Sequence, residues 1–357
     1  MSEAGGADMA ALAAKYDASD MLVHLRNYPS DLAAAWDRAA AWDLTAIEGR
    51  KFRGVLCLGM GGSASGGDFL AALSDADGCL PFIAWRTYGA PTWLSDEWLV
   101  IATSYSGNTE ETLDAVDAAL KYGCAVVGLS SGGALESTME AAAGSGASAC
   151  WIPLPGGQPP RSAFGHIFGS QIALAWRLGI MSQPDDAGVI LEHLADAVEA
   201  CDFTFEEAEE CVVTEMAESL AESDVAIIAA DSLWPVAYRC ACQLNENGGV
   251  FARPQVIPEM NHNEVVAWGD EGNNMQALVL FTWDGVHERV DKRIEWFTTT
   301  LEAEVAWGIV CEGDCLLEAM LYSVVIMDWL SCAVALLRGK DPTAIGPIND
   351  LKSYLTD

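Results

Sequence analysis

At 357 residues, with 51% hydrophobic and 20% charged positions, the chain has the composition of a folded protein long enough for two domains. Its formal net charge of −34 argues against nucleic acid and membrane-surface partners, because such a surface repels phosphate backbones and anionic lipid. The same field repels small anions at long range, so any phosphate site must be built locally.

The 11 cysteines form no Cys-x-x-Cys pair, and Cys240 and Cys242 stand too close together for a metal knuckle. Cys311 and Cys315 lack nearby histidines. Buried thiols in a reducing compartment are the expectation, with no metal and no cofactor. Met1-Ser2-Glu3-Ala4 carries no signal-peptide pattern, so a cytoplasmic location is expected. Glu318 and Asp328 interrupt the apolar run Leu316–Leu337, which reads as a buried helix rather than a membrane span.

In chain order, short apolar runs ending in Gly or Ser alternate with helical stretches, the pattern of parallel α/β sheets. Strands are expected at Val55–Leu58, Phe82–Trp85, Leu99–Thr103, Ala125–Leu129 and Ala149–Ile152. Helices are expected at Gly67–Leu73, Glu110–Lys121 and Glu136–Ala143. After a helical link and an acidic stretch around Glu206–Glu222, a second series begins. Its strands are expected at Val225–Ala230, Ala277–Thr282 and Ala306–Val310, with helices near Pro235–Asn245, Asp291–Leu301 and Leu316–Leu337. The fold class is α/β with two tandem, doubly wound parallel-sheet domains. The expected division is a helical segment over 1–40, a first domain over 41–205 and a second over 206–357. Ligands in such folds sit outside the carboxyl ends of the strands.

The first strand runs into Gly59-Met60-Gly61-Gly62-Ser63-Ala64-Ser65-Gly66-Gly67, a glycine-rich loop whose N–H groups can close on an anion. It also satisfies a permissive dinucleotide fingerprint. The second strand, however, ends in Trp85-Arg86-Thr87, where that reading needs an acid. The third strand ends in Ser104-Tyr105-Ser106-Gly107-Asn108-Thr109, where hydroxyls gather at a helix start; Asn108 and Glu111 have capping-box spacing. Hydroxyls and free N–H groups make a neutral phosphate cradle, although a well-capped helix alone would look the same.

Arg161 stands at an expected helix start, against the helix dipole, which suggests a local anionic target; a surface arginine is the plainer alternative. Glu246, in Gln243-Leu244-Asn245-Glu246-Asn247, is a carboxylate at a helix end where carboxylates are disfavoured. His262 lies in a polar loop. A carboxylate with an imidazole suits aldose–ketose isomerisation, in which one opens the sugar ring and the other moves a proton between C2 and C1. Lys352 alone reads as a solvated charge.

Together these motifs resemble the bifunctional phosphoglucose/phosphomannose isomerase family, built from two sugar-isomerase (SIS) domains. The resemblance rests on GMGGS at Gly59–Ser63, SYSGNTEET at Ser104–Thr112, PRSAFG at Pro160–Gly165, QLNEN at Gln243–Asn247, PEMNHNE at Pro258–Glu264 and the terminal Leu351-Lys352. It implies that Gly61, Gly62, Ser63, Ser104, Ser106 and Thr109 hold the phosphate of a sugar 6-phosphate. It further implies that Arg161 stabilises an enediolate, Glu246 is the base, His262 opens the ring and Lys352 joins the site. The family is typically dimeric, with His262 reaching the partner's site, so a homodimer with shared active sites is expected. Thr343 is the candidate for a pocket residue that admits either C2 epimer. Two departures stand out: Ala64-Ser65 where Gly-Ile is common, and Gly248-Gly249 where Ala-Lys is common, the latter removing a cation. A non-catalytic SIS sensor and an isomerase of amino-sugar phosphates are the alternatives.

Overall fold

A computed structural model describes residues 7–78, 80–205, 211–270, 276–301 and 303–356; the opening of the acidic stretch, 206–210, lies outside the described residues. In chain order the elements are α1 (Met9–Tyr16), α2 (Met21–Arg26), α3 (Tyr28–Ala39), β1 (Gly54–Leu58), α4 (Gly62–Asp77), β2 (Phe82–Trp85) and β3 (Trp98–Thr103). Next come α5 (Glu110–Lys121), β4 (Ala125–Ser130), α6 (Gly133–Gly144), β5 (Ala149–Pro153), α7 (Phe164–Arg177), α8 (Ala187–Cys201) and α9 (Val212–Leu220). The remainder comprises β6 (Val225–Ala230), α10 (Trp234–Gln243), β7 (Ala252–Ile257), α11 (Val265–Trp268), β8 (Ala277–Thr282), α12 (Glu288–Thr300), β9 (Ala306–Val310), α13 (Leu316–Leu337) and α14 (Gly346–Thr356).

Contacts divide the chain into two compact units: Asn27–Glu192, and Met1–Arg26 with His193–Asp357. These limits differ from breaks at 40/41 and 205/206 because the N-terminal helices go separate ways. α3 packs on α7 in the first unit, whereas α1 and α2 pack on α13 in the second.

The sheet of unit 27–192 is all parallel with order β2-β1-β3-β4-β5. On one face Leu56, Leu58, Val100, Ala102 and Val126 pack with Val116 and Ala119 of α5 and Leu135 and Met139 of α6. On the other, Thr103 meets α7, where Gln171 Nε2 donates to its hydroxyl at 2.8 Å. The glycine-rich stretch is shorter as a loop than its composition suggests. Helix α4 starts at Gly62, not near Gly67, because Gly66 lies inside the helix for packing: a Cβ there would stand 1.8 Å from Gln171 Oε1. The acid-lacking end of β2 also has a structural reason, since Arg86 pairs with Asp68 on α4.

The second sheet is parallel with order β7-β6-β8-β9. One face, with Ala226, Ile228, Leu278 and Leu280, is covered by Val290, Ile294 and Phe297 of α12 and Trp268 of α11. α10 and α13 pack together on this unit's other side, with α9 against α13. β7 has no counterpart among the expected strands because Pro254 interrupts its pattern; at the sheet edge a residue without N–H is tolerated. α13 is long and apolar enough to span a membrane, yet 83% of its most apolar window is buried inside the protein. Its two carboxylates are satisfied. Glu318 accepts from Asp314 N at 2.8 Å and meets His193 Nδ1 at 2.6 Å, and Asp328 accepts from Arg239 and Gln243 of α10 at 2.6 and 2.7 Å.

Candidate active site

In unit 27–192 the strand order reverses between β1 and β3, and in sheets of order 2-1-3-4-5 that crevice is where ligands bind. The connections leaving β1 and β3 hold all six phosphate candidates: Gly61 with Gly62 and Ser63 of the first turn of α4 on the first, Ser104, Ser106 and Thr109 on the second. Ser63 is buried in the first turn of α4, and its Oγ accepts from Tyr105 N at 3.1 Å, tying the two loops together. Ser104 is fully buried, with its Oγ 2.8 Å from Thr109 Oγ1. Ser106 is exposed at the loop tip.

The helix after this loop is not closed by a capping box. Thr109 is the N-cap and makes no side-chain cap bond, while Asn108 turns outward, donating to Ser106 O and accepting from Ala134 N at the start of α6. The first-turn N–H groups of α5 thus keep no side-chain cap at this end, the condition in which a helix start receives an anion. Gly107 sets the loop's shape. Its φ is +71°, and a Cβ there would stand 1.8 Å from Gly132 O.

Arg161 lies in the turn before α7 and is 3% exposed. It is next to the first loop: a Cβ on Gly62 would come 3.2 Å from the Arg161 backbone N and Cα. The turn is tied by Ser162 and Ala163 N–H groups donating to Pro159 O. Beneath it runs a polar chain. Gln158 N donates to Tyr105 Oη, Gln158 Nε2 donates to Asp31 at 3.0 Å, and Asp31 faces His166 Nε2 at 3.3 Å. Burial holds the His166 pKa below its ordinary value, against the pull of Asp31, which favours a neutral ring.

The other unit holds Glu246, His262, Thr343 and Lys352, on four separate segments. Glu246 sits half-buried on a π-helical turn, Leu244–Gly248, that continues α10 and ends at Gly249 with φ +61°. Such single π turns are rare and concentrate at functional sites. The neighbouring amides are committed to the fold. Asn245 pairs with both N and O of Ala252 at 3.0 Å, Asn247 Nδ2 donates to Ser331 Oγ at 2.9 Å, and Gln243 donates to Asp328. The run Gln-Leu-Asn-Glu-Asn therefore reads as a scaffold of three amides around one carboxylate.

His262 ends a short 3₁₀ turn, Glu259–His262, and is exposed. The turn is backed by Glu264, which Arg253 binds through two bonds of 2.7 and 2.8 Å. Burial pushes the Glu264 carboxyl up, but Arg253 and the Trp268 indole outweigh it and leave the pKa lowered. Thr343 bonds Asp341 Oδ1 through both its amide and its hydroxyl, at 2.8 and 2.6 Å, a turn-forming arrangement. Lys352 is exposed on α14.

Comparison with known proteins matches residues 212–355 to the bacterial phospho-glucose isomerase C-terminal SIS domain. The bifunctional phosphoglucose/phosphomannose isomerase of Aquifex aeolicus is 30% identical over 88% of this chain and 94% of its own. The chain belongs to that family. It is an isomerase. The D-glucosamine-6-phosphate 4-epimerase of Sulfolobus acidocaldarius is 29% identical over 66% of this chain and 70% of its own. Among solved structures, the C-terminal domain of glucosamine-fructose-6-phosphate aminotransferase from Francisella tularensis superposes with a TM-score of 0.65 at 14% identity, covering 90% of this chain and 97% of that one. That likeness carries the two-SIS fold.

Against the family pattern, Gly249 acquires a structural reading. The Lys340 ammonium occupies the space where a side chain at 249 would begin, a Cβ there standing 2.2 Å from Nζ. A cation therefore remains beside the π turn, supplied from after α13. The supporting residues Asp31, Gln158, His166 and Ser331 carry no signature in the sequence. Only Gln158 and His166 lie near one of the family motifs, and Asp31 meets Gln158 across 127 positions.

Proposed function

We propose that this isomerase interconverts glucose 6-phosphate and mannose 6-phosphate with fructose 6-phosphate through a cis-enediolate. The 6-phosphate would sit on the N–H groups and hydroxyls of Gly61, Gly62, Ser63, Ser104, Ser106 and Thr109. This cradle gains little from net charge in a chain at −34, so its binding energy must come from oriented donors and from Arg161. His262, with Lys352, would pass the proton that opens the pyranose ring. Glu246 then takes the proton from C2 of the aldose, the enediolate carries its charge on O1 and O2 near Arg161, and Glu246 returns the proton to C1. The observation that carries this reading is Glu246, the one carboxylate on a π turn whose flanking amides are all engaged by the fold.

A homodimer in the cytoplasm is part of the proposal. Helix α14 supports the pairing. Ile348, Leu351 and Leu355 recur at helical spacing on one face and are 39%, 56% and 61% exposed, an apolar stripe beside Lys352 that a second copy would cover. A second reading, action on an amino-sugar phosphate, is favoured by the Sulfolobus epimerase relative.

The deciding experiment is proton NMR in D2O with fructose 6-phosphate, mannose 6-phosphate and glucosamine 6-phosphate in separate incubations. Deuterium at C2 and formation of both aldoses from fructose 6-phosphate is the expected result. Turnover of glucosamine 6-phosphate alone would favour the second reading, and saturable binding without exchange would leave a sensor. Glu246→Gln should lower turnover by about two to four orders of magnitude with an unchanged circular dichroism spectrum. Near-normal exchange in that variant moves the base elsewhere.

A further inference from the structure

Helix α12 sorts its side chains into three stripes. Val290, Ile294 and Phe297 face the core. Glu288, Asp291 and Glu295 form an acidic stripe. Arg289, Lys292, Arg293 and Trp296, at spacings of three and four, share the third face. That third stripe lines a cavity of about 320 Å³, closed on its other side by Asn261 and Val265. Three of the chain's 18 basic residues thus converge on one hollow in a protein of net charge −34. None of the three forms an ion pair with another described residue, although acids stand one or two positions away on the same helix.

Two further features mark the hollow as more than a solvated face. Trp296 is 49% exposed, offering a ring surface at the end of the cationic stripe. Asn261 Oδ1 is buried and has no hydrogen-bond partner among the described residues, an acceptor that a hydroxyl or amino group would satisfy. An anionic group, a flat ring and a donor are the complement of this lining. A single small molecule carries all three when a phosphate is joined through a hydroxylated sugar to an aromatic base. Two guanidinium groups and an ammonium suit a phosphate dianion, and cations with an indole suit a stacked base.

We propose that this cavity binds a small nucleoside phosphate, with its phosphate on Arg289, Lys292 and Arg293, its base against Trp296 and a hydroxyl or amino donor on Asn261. Its lining shares no residue with the phosphate loops, and the proposal does not depend on the reaction proposed above. Because Asn261 and His262 belong to one 3₁₀ turn, an occupant would hold the segment that carries His262.

The test is calorimetric titration of the full chain with AMP, adenosine, inorganic phosphate and glucose 6-phosphate, in the lowest salt that keeps it folded. Arg289→Ala/Arg293→Ala and Trp296→Ala are titrated beside it. These positions lie at the surface, and circular dichroism checks folding. AMP should bind saturably and more tightly than phosphate or adenosine. The double substitution should weaken AMP at least about tenfold, the loss expected from one charge-assisted hydrogen bond. Trp296→Ala should weaken AMP and leave phosphate unchanged. Absence of saturable AMP binding, or AMP binding indifferent to the arginine pair, overturns the proposal. If glucose 6-phosphate rather than AMP loses affinity in the double variant, the nucleoside assignment falls and a sugar-phosphate site replaces it.

Discussion

Asp328 offers a sharp test of what holds the Glu246 turn in place. Its carboxylate accepts from Arg239 at 2.9 and 2.6 Å and from Gln243 at 2.7 Å, joining α13 to the helix that runs into Leu244–Gly248. The Arg239 and Asp328 side chains are 3% and 7% exposed, so solvent cannot replace the carboxylate if it is removed. Asp328→Ala leaves a guanidinium in the core without that counter-charge, a change that costs about 3–5 kcal/mol. In a unit of this size about 2–4 °C follows each kcal/mol, so the melting temperature should fall by on the order of 10 °C. Arg239→Met/Asp328→Leu, which replaces the pair by apolar volume, should cost far less, within about 1–2 kcal/mol, mostly the bond lost by Gln243. Urea unfolding followed by tryptophan fluorescence, with differential scanning calorimetry beside it, measures both variants. A single substitution costing under about 1 kcal/mol, or a double variant as weak as the single, would refute the buried-pair argument.

Gly107→Ala should raise KM for a sugar phosphate and lower stability by at least about 1–2 kcal/mol, since the left-handed backbone alone costs about that much and the methyl meets Gly132 O. Steady-state kinetics with a melting curve reads both. The His193–Glu318 pair gives a pH signature. The bond to Glu318 raises the His193 pKa above its ordinary 6.5, so its stabilisation is complete below the unfolded value and fades as pH rises through the folded one. The melting-temperature gap between wild type and His193→Asn should therefore be widest near pH 5.5 and narrow by pH 8.5; a gap that widens toward alkaline pH contradicts the assignment. Gly249→Ala should displace the Lys340 ammonium and, with φ at +61°, destabilise the turn, lowering kcat more than it alters KM. An effect on KM alone would separate Lys340 from the reacting atoms.

Much of the fold was legible because strands buried on both faces are continuous apolar runs: β6 and β8 lie where Val225–Ala230 and Ala277–Thr282 stand out in the chain, and β9, a largely exposed edge strand, still falls on the short run Ala306–Val310. β7 was hidden because edge placement relaxes the rules a central strand obeys, and α4 began early because Gly66 serves close packing and not a loop. In the candidate site, the motif residues were visible by type and spacing. What composition could not convey is which polar groups are already spoken for. Asn245, Asn247 and Thr343 look reactive on paper, yet each bonds a specific neighbour in the fold. The Asp31–His166 contact joins residues of ordinary type across the whole first unit, and pattern reading has no handle on such pairs.

The β7 edge of the second sheet, where Asn245 already engages both the N–H and the C=O of Ala252, bears on how the protein avoids edge-to-edge stacking of strands. A free parallel edge is a template for a foreign strand, which must find a ladder of donors to dock. Pro254 breaks that ladder, and beside it Arg253 is fastened to Glu264 and Gln276 instead of lying loose along the strand. Replacing Pro254 by a β-branched residue would restore a regular strand and, with it, a surface on which chains could stack.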